Sequence, residues 1–256
     1  MIDIHSHLLF GIDDGSKSME ESIELLKMAR KNGYTNIVCS SHFFIDKFEN
    51  ENYDKNFDIL SSEIKKQELG ITIHRGNEAA LHPELFGKLG KINTINGGDY
   101  ILLELKSGII YQACVNFIKK LQDMGYKPIL AHVERYSQLT VGNLISLYEM
   151  GVVLQMNIRT VEHMNRGITS LLERGYIGVV ATDTHDINRR NYDVGVYVEK
   201  LRKLVGEDYF KILTETNPGK IINNQEIEKG ERHEKKSTGN IFITFWNKLF
   251  SGNEPK

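Results

Sequence analysis

Seven short runs of aliphatic and β-branched residues, most of them separated by stretches of helical periodicity, constrain this chain more than any other feature. They fall at Ile2–Ile4, Asn36–Ser40, Ile71–His74, Tyr100–Glu104, Pro128–Ala131, Val152–Met156 and Ile177–Ala181. Alternation of this kind predicts an α/β protein with a parallel sheet. Seven βα-like units favour a distorted TIM-like (βα) barrel over a small doubly wound sheet. The first helix is well signalled. Ser18 stands three residues before Glu21 as a capping box, Ile23, Leu25, Leu26, Met28 and Ala29 form an apolar face, and Gly33 stops it. Further helices are predicted over 53–69, 111–125, 138–150, 162–174 and 193–213, with Gly125, Gly151 and Gly175 as C-terminal stops.

The chain has 256 residues, enough for one large domain with a substantial core. It carries 32 Lys+Arg against 34 Asp+Glu, so no global positive charge is available to hold nucleic acid, and no nucleic-acid partner is expected. The N-terminus, MIDIHSHLLFGIDDG, lacks the basic start of a signal peptide, and no apolar stretch of the folded body approaches membrane-spanning length. Two cysteines, Cys39 and Cys114, form no CxxC pair and suit a reducing cytoplasm. The catalytic body is expected to end at 222. A polar linker over 223–240 then leads to a segment, 241–256, in which Ile241, Phe242, Phe245, Trp246, Leu249 and Phe250 share one helical stripe. That stripe suits packing on the body or on a second subunit, or contact with a membrane surface or partner through 241–250.

Potential metal ligands recur at the C-terminal ends of the predicted strands. His5 and His7, one residue apart after the first strand, can face one ion. His42, Glu78, Glu104, His132, and Asp183 with His185 follow on later strands. In a parallel barrel these ends converge on one face. With Asp14, next to Asp13 and not separable from it on sequence, the donors number five His, two Asp and two Glu, enough for two or three ions sharing carboxylates. Imidazole and carboxylate without thiolate suit Mn, Fe or Zn. Arg135 lies three residues beyond His132, placed to hold phosphate oxygens at the same mouth. There is no Cys-x5-Arg loop and no GxxxxGK[ST] loop, so neither a cysteine nucleophile nor a P-loop is present.

The order HSH, an acidic residue, SH, a Glu after the third strand, LLEL, AHVERY and TDTH resembles the polymerase and histidinol phosphatase (PHP) superfamily. MIDIHSHLLFGIDDGSKSMEES and AHVERY are similar, more closely, to the manganese-dependent protein-tyrosine phosphatases of bacterial capsule and exopolysaccharide operons. The resemblance spans about residues 1–222. It implies a seven-stranded PHP barrel with a trinuclear Mn2+ site. One ion would be held by His5, His7, Glu78 and Asp183, and a second by Glu78, Glu104 and His132. The third would take Asp14, His42 and His185, with Arg135 assisting catalysis. It further implies hydrolysis of phosphotyrosine by metal-bound hydroxide. The expected partner is a membrane-associated tyrosine autokinase, met in the cytoplasm or at the inner face of the membrane. Rival readings are a histidinol-phosphate phosphatase, a nuclease, and a regulatory module that keeps the metal site without turnover.

Overall fold

The computed structural model describes residues 1–228, so the segment 241–256 and most of the expected linker lie outside the described residues. Nine parallel strands are present among these residues, in two sheets. The first holds β1 (Ile2–Ser6), β2 (Asn36–Cys39) and β4 (Thr72–Arg75), in the order β1-β2-β4. The second runs β3 (His42–Phe43), β5 (Glu78–Ala80), β6 (Tyr100–Glu104), β7 (Lys127–Leu130), β8 (Val153–Asn157) and β9 (Ile177–Ala181).

The parallel α/β class is therefore as expected, whereas the distorted seven-stranded barrel is not closed among the described residues, whose strands form two sheets. β2 and β4 each break and resume as β3 and β5, and only these short continuations join the larger sheet. The seam between β1 and the residues after β9 is equally thin. It consists of one bridge, Ser6 to Thr184, with the backbone bonds Asp183 N–H to His5 O (2.8 Å) and His7 N–H to Thr184 O (2.7 Å).

The helices pack outside. α1 (Met19–Lys31) starts where Ser18 Oγ accepts the Glu21 N–H at 3.3 Å, while the Glu21 carboxylate takes the Lys17 N–H at 2.7 Å. α2 (Tyr53–Lys66), the short α3 (Leu85–Lys88), α4 (Tyr111–Asp123), α5 (Val141–Glu149) and α6 (Arg166–Glu173) follow. α5 and α6 begin later than periodicity predicts, because Thr140 and Asn165 cap them with side-chain oxygens. The expected single helix over 193–213 is broken at Gly206, whose φ of +80° separates α7 (Gly195–Val205) from α8 (Glu207–Lys211). A π-helical turn over Ile212–Thr216 leads to α9 (Asn217–Ile222).

Strand alternation divides the core in two. Ile101, Leu103, Leu130, Leu154, Met156 and Val180 pack outward with the helices. Leu102, Ile129, Ala131, Val153, Val179 and Ala181 point inward, joined by Ile4 and Val38 and by Ile221 and Ile222 of α9. Both faces of most strands are buried, β4 being the exception with Thr72 exposed, which is why the runs read as largely apolar. Residues 223–228 stay on this body. The Tyr100 hydroxyl donates to Gln225 O at 2.8 Å, and the Asn217 amide exchanges two hydrogen bonds with the Glu228 backbone.

Asp3 ties the thin seam together from behind. Its side chain is fully buried and accepts from the Thr182 and His5 backbone N–H groups and the Thr182 and Tyr192 hydroxyls. Asp3→Ala, leaving four buried donors without an acceptor, is expected to destabilise the protein by about 3 kcal/mol in a denaturant titration. Asp3→Asn should cost less, since both hydroxyls can rotate to become acceptors; equal stability of all three proteins would refute the assignment.

Candidate metal centre

On the inward face of the strands, one alternation step turns apolar residues into polar ones. Leu102 is followed two positions on by Glu104, Val153 by Gln155 and then Asn157, and Ala181 by Asp183. The same end receives His5 and His7 from β1, His42 from β3, Glu78 from β5, and His132 and His185 from the turns after β7 and β9. His132 and Asp183 adopt positive φ, +31° and +55°, a conformation uncommon for either residue type and concentrated at functional sites.

All nine proposed ligands meet here, and their donor atoms form four overlapping groups. Around the group of His5, His7 and Asp183, which Glu78 adjoins, His5 Nε2 lies 3.2 Å from His7 Nε2 and 3.4 Å from both Glu78 Oε2 and Asp183 Oδ1. His7 Nε2 is 3.3 Å and 3.6 Å from the same two oxygens. Donors held about 2.0–2.2 Å from a tetrahedral ion stand roughly 3.3–3.6 Å apart, so this set fits a shared divalent metal. Glu78 turns its second oxygen, Oε1, to His132 Nε2 at 2.8 Å, and Glu104 Oε1 is 3.6 Å from the same nitrogen. Asp14 Oδ1 faces His42 Nε2 at 3.4 Å and His185 Nε2 at 3.6 Å.

Second partners fix the tautomers. His5 Nδ1 bonds Gln155 Oε1 at 3.0 Å and His7 Nδ1 bonds Asp13 Oδ2 at 2.7 Å, so both rings donate from Nδ1 and aim an Nε2 lone pair at the centre. His185 Nδ1 likewise donates to Asp183 O at 3.0 Å. Asp13 and Asp14 point to different partners. Asp13 is a buried orienter that also accepts the His42 and Gly15 N–H groups, whereas Asp14, 59% exposed, is the one facing the ligand rings.

The electrostatics show a centre short of positive charge. Burial opposes a proton on His5, yet the Glu78 and Asp183 carboxylates outweigh it and raise its pKa. His7 is also penalised by burial, but Asp13 and then Glu78 raise it to about 10. Burial would raise Glu78, but the imidazoles of His5, His132 and His42 hold it well below the usual carboxylate range. Glu104 is raised by burial and by the Glu78 charge beside it, while burial and neighbouring His7 lower His185 to about 2. Divalent cations would supply what these carboxylates otherwise take from histidine protons. His42 fits the same reading, because its Nδ1 lies 2.9 Å from Glu78 Oε2 and its Nε2 3.4 Å from Asp14 Oδ1, so both ring nitrogens face carboxylates.

Arg135 does not pair with Glu134, which instead accepts from Thr160 Oγ1 and the Asn157 N–H. Its Nη2 donates to Asp183 Oδ2 at 2.5 Å. Sequence reasoning missed three contributors. Arg190 pairs with the same Asp183 oxygen, Gln155 bridges His5 and the His132 N–H, and Asn157 donates to Asp183 at 2.9 Å. The position of Gln155 and Asn157 on the inward alternation of β8 was a usable signal; Arg190, in the turn beyond His185, offered none. Both arginines line a cavity of about 400 Å3 with Asp183, Arg159, His163 and Asn165.

Fold and site together define a parallel α/β protein whose strand ends carry His, Asp and Glu groups that could hold metal. The chain belongs to the CpsB/CapC family of capsular polysaccharide synthesis, whose model matches residues 1–223. It is 32% identical over 243 residues to the tyrosine-protein phosphatase CpsB of Streptococcus pneumoniae, covering 89% of this chain and 100% of that one. The tyrosine-protein phosphatase YwqE of Bacillus subtilis (strain 168) is 27% identical over 238 residues, covering 89% and 93%. Among solved structures, one described as YwqE from Bacillus subtilis and CpsB from Streptococcus pneumoniae, unique metal-dependent tyrosine phosphatases, matches with a TM-score of 0.82. It is 26% identical and covers 91% of this chain and 99% of the other. Histidinol phosphate phosphatase of Lactococcus lactis subsp. lactis Il1403 shares the fold alone, with a TM-score of 0.55 at 15% identity over 83% and 95% of the two chains.

The loop carrying Asp13 and Asp14 depends on Gly15. A Cβ there would lie 2.0 Å from the His7 carbonyl oxygen, which accepts the Ser16 N–H at 3.0 Å. Gly15→Ala is therefore expected to displace both aspartates and reduce bound metal, measured by elemental analysis, although no ligand is altered. Unchanged metal content would refute this role for the loop.

Proposed function

We propose that this chain is a metal-dependent tyrosine-protein phosphatase that hydrolyses phosphotyrosine on a protein. The observation that carries the reading is the donor set His5, His7, Glu78 and Asp183 standing beside two guanidinium groups, in a member of a family whose named relatives are tyrosine-protein phosphatases. In this reading His5, His7, Glu78 and Asp183 hold one ion. Glu78, Glu104 and His132 hold a second, and Asp14, His42 and His185 a third. Mn2+ is the metal first expected, with Fe or Zn as alternatives, because the ligands are imidazole and carboxylate. When bound, such ions polarise phosphoryl oxygens and acidify coordinated water.

The chain's own groups do the rest. Asp13 and Gln155 keep the Nε2 lone pairs of His7 and His5 turned inward, so the ligand set is preorganised rather than assembled at each turnover. Arg135 and Arg190 meet at one Asp183 oxygen, and each guanidinium carries donors beyond the one used there. Those donors can take the equatorial oxygens of a phosphoryl group and offset the charge that gathers on them in transfer. No residue acting as a nucleophile is required. Cys39 and Cys114 are buried, and burial raises both thiols, Cys114 to about 11, which keeps them protonated and inert.

The partner we favour is a membrane-associated tyrosine autokinase of capsule or exopolysaccharide synthesis, reached from the cytoplasm or at the inner face of the membrane. The capsular family assignment supports this. Among the described residues no helix is long and apolar enough to cross a membrane. The catalytic body would end near residue 222, with 223–228 still bonded to it, and the Phe245/Trp246 stripe farther on would keep the enzyme near its partner.

Metal analysis with a substrate panel under Mn tests the core of this. Phosphotyrosine peptides should be turned over in preference to histidinol phosphate and single-stranded DNA, chelation should abolish turnover, and Mn should restore it. A His5→Ala/His7→Ala double variant should lose metal and activity together. Arg135→Ala should keep its metal and lose activity by about a hundredfold; normal metal and turnover in the double variant would refute the site. Truncation after Glu228 is expected to leave peptide hydrolysis intact and weaken retention by membranes or the kinase in a pull-down, and undiminished retention would exclude a role for the tail.

A further inference from the structure

The hairpin after β3 carries two phenylalanines that the apolar core does not use. Phe43 is fully buried within the outer core and Ile45 packs against it, but Phe44 and Phe48 are part-exposed and belong to neither core cluster. Their direction follows from backbone geometry. His42 and Phe44 are two apart in extended chain and so point the same way. Phe44 and Phe48 are directly opposite in an antiparallel bridge, closed by Phe44 N–H to Phe48 O at 2.8 Å and Phe48 N–H to Phe44 O at 2.9 Å, which puts their side chains on one face.

All three rings therefore gather at the rim of the metal centre. Phe44 lies 4.2 Å from the His42 ring, centroid to centroid, Phe48 is stacked 6.1 Å from it at 13°, and the two phenyl rings are 6.0 Å apart. The hairpin is pinned from outside. Asp46, at φ +63°, donates its N–H to Glu49 Oε1 at 3.0 Å, and Glu49 is paired with Lys88. A cation stands over each ring: Lys106 Nζ is 5.1 Å from the Phe44 centroid, and Lys47 Nζ is 4.7 Å from that of Phe48.

We infer that Phe44 and Phe48 form the wall that receives the aromatic ring of an aryl phosphate ester, selecting it over alkyl esters. This deepens the phosphatase reading above and rests on it. The two sides of the mouth differ in chemistry. Toward Asp183 the cavity is lined by Arg135, Arg159, Arg190, His163 and Asn165, with Ile168 its apolar residue, and suits phosphoryl oxygens and polar chain. Toward His42 the rim is aromatic, where a phenyl group gains offset or edge-on ring contacts and is not forced to strip water from guanidinium groups. Lys47 and Lys106 add positive charge on the aromatic side, favourable to a dianionic ester.

The test uses full-length, Mn-loaded protein and two non-hydrolysable probes, phenylphosphonate and methylphosphonate, titrated by calorimetry alongside kcat/KM for phosphotyrosine and phosphoserine peptides. Wild type should bind phenylphosphonate about tenfold more tightly than methylphosphonate. A Phe44→Leu/Phe48→Leu double variant should lose that preference while binding methylphosphonate and metal normally, its loss on phosphotyrosine peptide appearing mainly in KM. Phe44→Tyr/Phe48→Tyr should retain the preference. Equal binding of the two probes by wild type, or an undiminished preference in the leucine variant, would overturn the inference. So would parallel loss of both probes, because the rings would then be supporting His42 rather than receiving substrate. A wild-type preference for phenylphosphonate without turnover of any phosphotyrosine peptide would reject the phosphatase reading and leave the aromatic wall standing.

Discussion

The buried carboxylate of Glu78 is the interaction on which the site depends. It is 1% exposed, one oxygen faces His5, His7 and His42, and the other faces His132. A carboxylate buried this deeply is tolerable only when opposite charge or hydrogen bonds surround it. Here the compensation comes from imidazoles, and with metal bound it would come from the ions themselves. Glu78 lies at the start of β5, one of the two short strands that resume after a break, so the interruption of the sheet and the placement of the central ligand are one event.

The same economy holds around Asp183. It meets His5 and His7 through one oxygen and Arg135, Arg190 and Asn157 through the other, so a single side chain spans the metal centre and the anion-holding rim. The position of the guanidinium groups consequently depends on the same side chain that reaches His5 and His7. Asp13 plays a comparable part on the opposite side, joining His7 to the His42 backbone while leaving Asp14 free to face ligand rings. Beyond that rim lie the Phe44 and Phe48 rings, which give the mouth an aromatic side to set against its cationic one.

Much of this was legible in the sequence, and unevenly so. The strands, the outer helices and the convergence of nine donor residues could be read because each leaves a local mark: an apolar run, a cap, or a donor residue at the end of a run. The breaks between β2 and β3 and between β4 and β5 leave none, because His42–Phe43 and Glu78–Ala80 are too short to show a period. The split at Gly206 was visible as a glycine, but its left-handed conformation was not. Asp13 and Asp14 are adjacent and chemically alike, and only the buried contact to His7 separates them. Arg190 stands in a turn rich in polar residues, where nothing in the pattern sets it apart from Arg189.

By itself the sequence determined the parallel α/β class, the end of the strands at which chemistry would gather, and the donor types collected there, because periodicity and residue chemistry are local properties. Tertiary structure alone decided that the strands form two sheets joined by a thin seam, and that Glu78 shares its two oxygens among four imidazoles. It also decided that two arginines meet at Asp183 and that Phe44 and Phe48 turn toward His42 rather than into the core. These are long-range pairings, fixed by how far apart segments dock and by the cost of burying charge unpaired, and no window of sequence contains them.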